Sequence, residues 1–90
     1  MWYVYIVKCS DASLYTGITV NVERRVNEHN TSKRAAKYTR SRRPVHLVAF
    51  CPVKSKSQAL RLEYKIKSLK KDEKIAYLLK EASNELEDVK

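Results

Sequence analysis

The sequence predicts an α+β domain in which a small three-stranded antiparallel sheet is flanked by helices. Three short runs rich in aromatic and β-branched residues have strand character, two of them close together at the start of the chain and one in its middle. Stretches with helical periodicity separate or follow these runs. With 90 residues, the chain is long enough for one modest core and too short for two.

The first two predicted strands form a hairpin at the start of the chain. The first runs from Trp2 to Val7, and the second runs from Leu14 to Thr19. The turn between them, Ser10 to Ser13, contains no glycine, which favours a longer loop over a tight two-residue turn. Because side chains alternate along a strand, one face of the first strand is expected to carry Tyr3, Tyr5 and Val7.

The chain contains a single glycine, Gly17, which lies within the second predicted strand. A lone glycine in a strand marks a bulge or a close approach by another backbone or a ligand, or it relieves a tight bend. The sequence leaves these interpretations open.

Capping residues and apolar periodicity define the remaining elements. Asn21 is placed to cap a helix that runs from about Val22 to His29, and an irregular basic stretch from Thr31 to Arg43 follows it. Residues 46–51 are expected to form a third, mostly buried strand. Ser55 and Gln58 then have the spacing of a capping box. The helix that they open has an apolar face that carries Ala59, Leu62, Ile66 and Leu69.

Asp72 is expected to cap a final helix. These elements form one domain over residues 1–82, and the acidic tail, residues 83–90, is expected to fray.

The charge distribution predicts an anionic partner. The net charge is +9, with 18 Lys and Arg against 6 Asp and Glu in residues 1–80. A basic body of this kind is typical of nucleic-acid binding, although many small proteins are basic. No apolar run approaches the roughly 20 residues that span a bilayer, and Cys9 and Cys51 lack the spacing of a redox or disulfide motif. A cytoplasmic location without membrane association is the expectation.

Two tyrosines are candidates for chemistry because they belong to adjacent predicted strands. Tyr5 and Tyr15 can lie within contact range on one face of a hairpin. A phenol acts as a base near neutral pH only where positive charge favours the phenolate. The alternative is that both rings are ordinary strand packing.

Arg25, His29 and Glu63 add three further candidate groups. Arg25 and His29 are four residues apart, so they share one helical face, where arginine can hold a phosphate and histidine can donate to an oxygen. Solvation of an exposed pair is the alternative. Glu63 lies within an apolar arc, which is costly for an uncompensated carboxylate. Lys67 or a divalent cation such as Mg²⁺ would compensate it.

The basic stretch is the candidate surface for a nucleic-acid backbone. It has no acidic residue and one aromatic residue, Tyr38, which can stack on a base or pack inward. A solvated loop is the alternative. The candidate contact residues are Lys33, Arg34, Lys37, Tyr38, Arg40, Arg42 and Arg43.

These residues resemble, in order, the motifs of the GIY-YIG nuclease superfamily, and in particular its small stand-alone members. Tyr3-Val4-Tyr5 matches the first motif except at its leading glycine, and Tyr15-Thr16-Gly17 matches the second with threonine in place of isoleucine. The helix arginine, the histidine and the glutamate of the family fall on Arg25, His29 and Glu63.

The resemblance implies a DNA endonuclease that acts in DNA repair or processing. Glu63 would hold one Mg²⁺ or Mn²⁺, and Tyr5 would help to deprotonate the attacking water, directly or through Tyr15. Arg25 would stabilise the charge on the phosphate, and His29 would assist at a leaving or attacking oxygen.

One departure from the family pattern leaves two other functions open. Many members place an asparagine about twelve to fifteen residues beyond the glutamate, and residues 75–78 contain none. The alternatives are a nucleic-acid-binding module without catalysis, and a subunit that needs a partner before it acts.

Overall fold

The computed structural model describes residues 1–88 and confirms the predicted fold class. The elements in chain order are β1 (Trp2–Lys8), β2 (Leu14–Thr19), α1 (Val22–Thr31), α2 (Lys37–Arg40), β3 (His46–Val53), α3 (Lys56–Lys67) and α4 (Lys71–Asp88). The sheet has the strand order β2-β1-β3, and both pairs of neighbours are antiparallel. The central strand β1 therefore has a neighbouring strand on each side.

A five-residue loop joins β1 to β2, as the glycine-free turn predicted. The backbone N–H of Cys9 donates to the carbonyl of Ser13 at 2.8 Å, and Ala12 takes a positive φ of 69°. The carboxylate of Asp11 accepts from the N–H and the hydroxyl of Ser13, and it also pairs with the guanidinium of Arg42 at 3.0 Å. The loop is thereby tied to the basic stretch.

The sheet separates two buried clusters, because side chains alternate along β1. Val4 and Ile6 face α3 and α4 and pack with residues such as Ile66. Tyr5 and Val7 face the opposite side, where the partly buried side chains of α1 cover them. The predicted sharing of a face by Tyr5 and Val7 is confirmed.

Two predictions about the middle of the chain were wrong in detail. The basic stretch is not wholly irregular, since it contains the four-residue helix α2. Strand β3 continues through Pro52 to Val53, and it is only half buried, with Phe50 47% exposed. Because β3 is an edge strand, the backbone N–H that proline lacks is not needed for the ladder.

The caps of the last two helices also differ from the simplest expectation. Ser55 caps α3 by accepting from the N–H of Gln58 at 3.2 Å, but the Gln58 side chain accepts from Lys54 rather than from Ser55. Leu69 lies beyond the end of α3. Asp72 lies in the first turn of α4 and not at the cap. Its negative charge there interacts favourably with the positive end of the helix dipole.

Helix α4 extends through Asp88, and Val89 and Lys90 lie outside the described residues. The domain boundary at residue 82 and the fraying of the tail stay predictions. No helix among the described residues combines the length and the hydropathy that crossing a membrane would require.

Candidate active site

The site is centred on Tyr5, whose ring lies across the backbone of the neighbouring strand. The antiparallel register pairs Tyr5 directly with Gly17. A Cβ atom at Gly17 would lie 2.5 Å from the Tyr5 hydroxyl oxygen and 2.7 Å from Cζ, well inside van der Waals contact. The lone glycine therefore permits a close approach, and the group that approaches is a side chain.

Behind Tyr5 lies a chain of buried hydrogen bonds. The Tyr5 hydroxyl is 2.7 Å from Nε2 of His29. Nδ1 of the same imidazole is 2.8 Å from the hydroxyl of Thr39, and that hydroxyl donates to the carbonyl of Ala36 at 3.0 Å. None of the three side chains is more than 1% exposed. Helix α1 supplies the histidine and α2 supplies the threonine, so the two helices meet through this contact.

Tyr15 and Tyr38 extend the site toward the basic stretch. The Tyr15 ring meets the His29 ring edge to face, with 5.3 Å between centroids. Tyr38 stacks on Tyr15 at 6.0 Å, and the guanidinium carbon of Arg42 lies 3.9 Å from the Tyr38 ring centroid. The Tyr38 ring thus packs against Tyr15 and is still 39% exposed.

Arg25 is the cation beside Tyr5. Its Nη1 donates to the Glu28 carboxylate at 3.1 Å and to the carbonyl of Arg34 at 2.9 Å. Its positive charge acts on the Tyr5 hydroxyl and favours the phenolate. The positive charge that a phenol base requires is therefore present in space as well as in sequence.

Burial nevertheless outweighs that charge. Desolvation, followed by the neighbouring Tyr15, raises the pKa of Tyr5 to about 12 despite Arg25. Desolvation, followed by the charge of Arg25, lowers the pKa of His29 to about 4. Both groups are neutral at neutral pH, so the phenolate is not the resting form and Tyr5 needs an acceptor for its own proton.

Glu63 approaches the same group of side chains from α3. Its side chain is 18% exposed, and Oε2 lies 3.3 Å from Nζ of Lys67. Its negative charge is one of the causes that raise the pKa of Tyr5, which places the carboxylate within electrostatic reach of the phenol. The ammonium of Lys67 also lies 6.0 Å from the Tyr15 ring centroid.

The donor set of the site fits a divalent cation that takes most of its ligands from elsewhere. Within residues 1–84, whose side chains the structure describes, no group of three or more His, Cys, Asp or Glu could enclose a metal. Mg²⁺ is commonly bound through one or two carboxylates, several waters and the phosphates of a substrate. Glu63 alone fits that pattern and does not fit a structural zinc site.

The basic stretch divides into side chains that hold the fold and side chains that are free. Arg43 donates to the carbonyls of His29 and Ser32, which fixes the end of α1. Arg40 donates to the carbonyl of Lys33, and Arg42 pairs with Asp11 and Tyr38. Within the described part of the chain, no hydrogen bond or ion pair involves the exposed side chains of Lys33, Arg34 and Lys37.

The buried histidine makes stability depend on pH. Because the pKa of His29 is about 4 in the folded protein and 6.5 when unfolded, the unfolded state binds more protons between these values. We expect stability to be complete above pH 6.5 and to fall, by on the order of 2–3 kcal/mol, as pH drops toward 4. The measurement is urea unfolding across this range. The loss of free energy of unfolding between pH 6.5 and pH 4 should be smaller in His29→Gln than in the wild type and unchanged in His46→Gln. An equal dependence on pH in the wild type and both variants would contradict this expectation.

The fold agrees with a known class of catalytic domain. The sequence model of the GIY-YIG catalytic domain matches residues 1–76. The chain therefore belongs to the GIY-YIG family. This domain implies a nuclease-type activity with nucleic acid as the substrate.

Within that family, the similar proteins are UPF0213 proteins, which are small single-domain members. One from Desulfotalea psychrophila is 56% identical over 68 residues, which cover 76% of this chain and 62% of that protein. One from Staphylococcus haemolyticus is 56% identical over 73 residues, which cover 81% and 88%. The solution NMR structure of a UPF0213 protein from Bacillus halodurans is 43% identical, covers 91% of this chain and 87% of that one, and superposes with a TM-score of 0.54.

One residue of the site, Thr39, was not among the sequence candidates. Its partner His29 is ten residues away, and only the path of the intervening loop brings the two together. A weak signal was available, because Thr39 is an uncharged β-branched residue within a stretch otherwise dominated by basic side chains.

Proposed function

We propose that this protein is a metal-dependent endonuclease that hydrolyses phosphodiesters of DNA during DNA repair or processing. The observation that carries the proposal is the 2.7 Å contact between the Tyr5 hydroxyl and Nε2 of His29, with Arg25 beside it. A phenol with a proton acceptor behind it and a cation next to it can take a proton from water.

Each charged group has a separate task in this proposal. Arg25 stabilises the negative charge that develops on the phosphate, and its charge also favours the Tyr5 phenolate. Glu63 would hold Mg²⁺ or Mn²⁺, which when bound supplies Lewis-acid stabilisation of the phosphate oxygens. His29 is fully buried behind Tyr5, which favours a role through Tyr5 over direct contact with a leaving oxygen.

The proposal is tested with a labelled panel of duplex, single-stranded, flap and branched DNA and a matching RNA strand, each with Mg²⁺, Mn²⁺ or EDTA. We expect products that require metal, and a rate at least about 100-fold lower in Tyr5→Phe, since a general base contributes roughly 10²–10⁴-fold. Tyr3→Phe is the matched control, because it removes a hydroxyl from the same face of β1 outside the hydrogen-bonded chain. Equal rates in Tyr5→Phe and the wild type would remove Tyr5 from the mechanism.

A second candidate is a nucleic-acid-binding module without catalysis, or a subunit that acts only with a partner. Two observations favour it: the pKa of Tyr5 is raised to about 12, and residues 75–78 of α4 contain no asparagine. Both candidates bind nucleic acid, so salt dependence does not separate them. Binding in EDTA without products under any metal condition would favour the second candidate.

Nucleic-acid binding is expected to depend on the free cations of the basic stretch. Lys33→Ala combined with Lys37→Ala should flatten the slope of log affinity against log salt concentration by about one to two units, because each lysine that contacts a phosphate releases a counterion. The slope is measured by fluorescence anisotropy in EDTA. Lys71→Ala with Lys80→Ala removes the same charge from α4, and equal flattening by both pairs would show a diffuse effect of charge instead of a contact surface.

A further inference from the structure

The direction of the hydrogen bond between Tyr5 and His29 decides what either group can do. A neutral imidazole carries its proton on Nδ1 or on Nε2. Only with the proton on Nδ1 is Nε2 an acceptor for the Tyr5 hydroxyl proton. With the proton on Nε2, His29 would instead donate to Tyr5 and could not take a proton from it.

The far end of the chain favours one direction. A threonine hydroxyl has one hydrogen, and the hydroxyl of Thr39 lies 3.0 Å from the carbonyl oxygen of Ala36, which can only accept. With its hydrogen directed there, Thr39 meets Nδ1 of His29 through an oxygen lone pair. The 2.8 Å contact between them is then a bond from Nδ1–H to Thr39.

The near end favours the same direction. The Tyr5 hydroxyl has one hydrogen, and its hydrogen bond among the described residues is the one to Nε2 of His29. Because Tyr5 is 1% exposed, a donor at Nε2 would leave the Tyr5 hydrogen without an acceptor among the described residues. With Nε2 unprotonated, the Tyr5 hydrogen points to His29 and this buried donor has an acceptor.

We propose that Thr39 is a positioning residue, which holds His29 as the tautomer protonated on Nδ1 and so keeps Nε2 free to receive the Tyr5 proton. The proposal rests on the proposed nuclease function. Helix α2 positions this hydroxyl, because the backbone N–H groups of its turn donate to the carbonyl of Ala36 and Thr39 is buried. The basic stretch therefore has a role inside the site as well as on the surface.

The proton transfers that this arrangement permits are balanced. A water proton passes to the oxygen of Tyr5 as the Tyr5 proton passes to Nε2, which leaves a hydroxide and an imidazolium whose Nδ1–H remains bonded to Thr39. The hydroxide forms a bond to phosphorus, and the bond from phosphorus to the leaving oxygen breaks. The leaving oxygen takes a proton from solvent, and His29 returns its proton to solvent.

The experiment measures the tautomer directly, with ¹⁵N-labelled histidine and long-range proton–nitrogen correlation spectra of the whole protein at neutral pH. The two tautomers give different patterns, and His29 in the wild type is expected to show the one protonated on Nδ1. Thr39→Val keeps the shape of the side chain and removes the oxygen, so we expect a rise in the tautomer protonated on Nε2 and a fall in the cleavage rate of at least about tenfold.

Two further variants complete the test. Thr39→Ser keeps the hydroxyl and should restore both the tautomer and the rate, whereas a purely structural role would not move the spectrum. Thr31→Val is the matched control, because it removes an exposed threonine hydroxyl that bonds to Asn27 and should change neither readout.

The proposal is overturned if His29 in the wild type is protonated on Nε2, a result that needs no variant to fold. It is also overturned if Thr39→Val keeps both the wild-type spectrum and the wild-type rate. A wild-type spectrum with the expected tautomer but no cleavage of any substrate would instead count against the nuclease function alone.

Discussion

Replacing Glu63 with glutamine should abolish metal-dependent cleavage while leaving the fold intact. A bound cation contributes several kcal/mol to a phosphoryl transition state, so the rate should fall at least about 100-fold. The free energy of unfolding should change little, because the ion pair that Glu63 makes among the described residues is with Lys67, a side chain that is 53% exposed. An ion pair at i, i+4 on a helix is worth about 0.3–0.5 kcal/mol.

A metal-binding readout separates this result from any general loss of activity. Mn²⁺ broadens the amide signals of residues near it, and titration should broaden those around Glu63 in the wild type and leave them sharp in Glu63→Gln. Glu23→Gln makes the same change of charge on an exposed turn of α1 and should behave like the wild type. Retained cleavage in Glu63→Gln would remove this carboxylate from the mechanism, and retained broadening would place the cation elsewhere.

Gly17→Ala should damage stability and activity together. The new methyl group would overlap the Tyr5 hydroxyl at 2.5 Å and its ring at 2.7 Å, and Tyr5 cannot swing away because it is 1% exposed. Overpacking of this kind costs about 1–3 kcal/mol. Any displacement of the ring also lengthens its bond to His29, so cleavage should fall even in the fraction that stays folded.

A double-mutant cycle identifies the contact responsible. Tyr5→Leu removes the atoms that the methyl group meets, so adding Gly17→Ala to Tyr5→Leu should cost much less free energy of unfolding than adding it to the wild type. Tyr5→Phe is the informative comparison, because it keeps Cζ and should not relieve the clash. Equal costs of Gly17→Ala in the wild-type and leucine backgrounds would mean that backbone freedom at residue 17, and not the ring, requires glycine.

Local pattern was sufficient to predict which residues share one face of the first strand. The alternation along the first strand places Tyr5 and Val7 together, and the hairpin brings Tyr15 and Gly17 to the same face. These inferences depend on a period of two residues and on a short loop, both of which are visible in the sequence.

What could not be predicted depends on how far side chains are buried and on the path of one loop. Arg25 lowers the pKa of Tyr5 and desolvation raises it, and only the packed structure shows which effect is larger. Desolvation is the larger of the two. The contact of Thr39 with His29 requires the turn of α2. The sequence likewise could not show that the Arg43 guanidinium donates to backbone carbonyls, whereas the Lys33 side chain makes no hydrogen bond among the described residues.

The alternation of β1 also bears on how the chain can change over evolution. Val4 and Ile6 lie in a cluster of aliphatic side chains, where another residue of similar volume serves nearly as well. In the proposed mechanism their neighbour Tyr5 is constrained by the position of one oxygen atom, and no other natural side chain places a hydroxyl there. Residues 4 and 6 are therefore expected to change readily to other aliphatic residues over evolution. Residue 5, between them, is expected to change hardly at all.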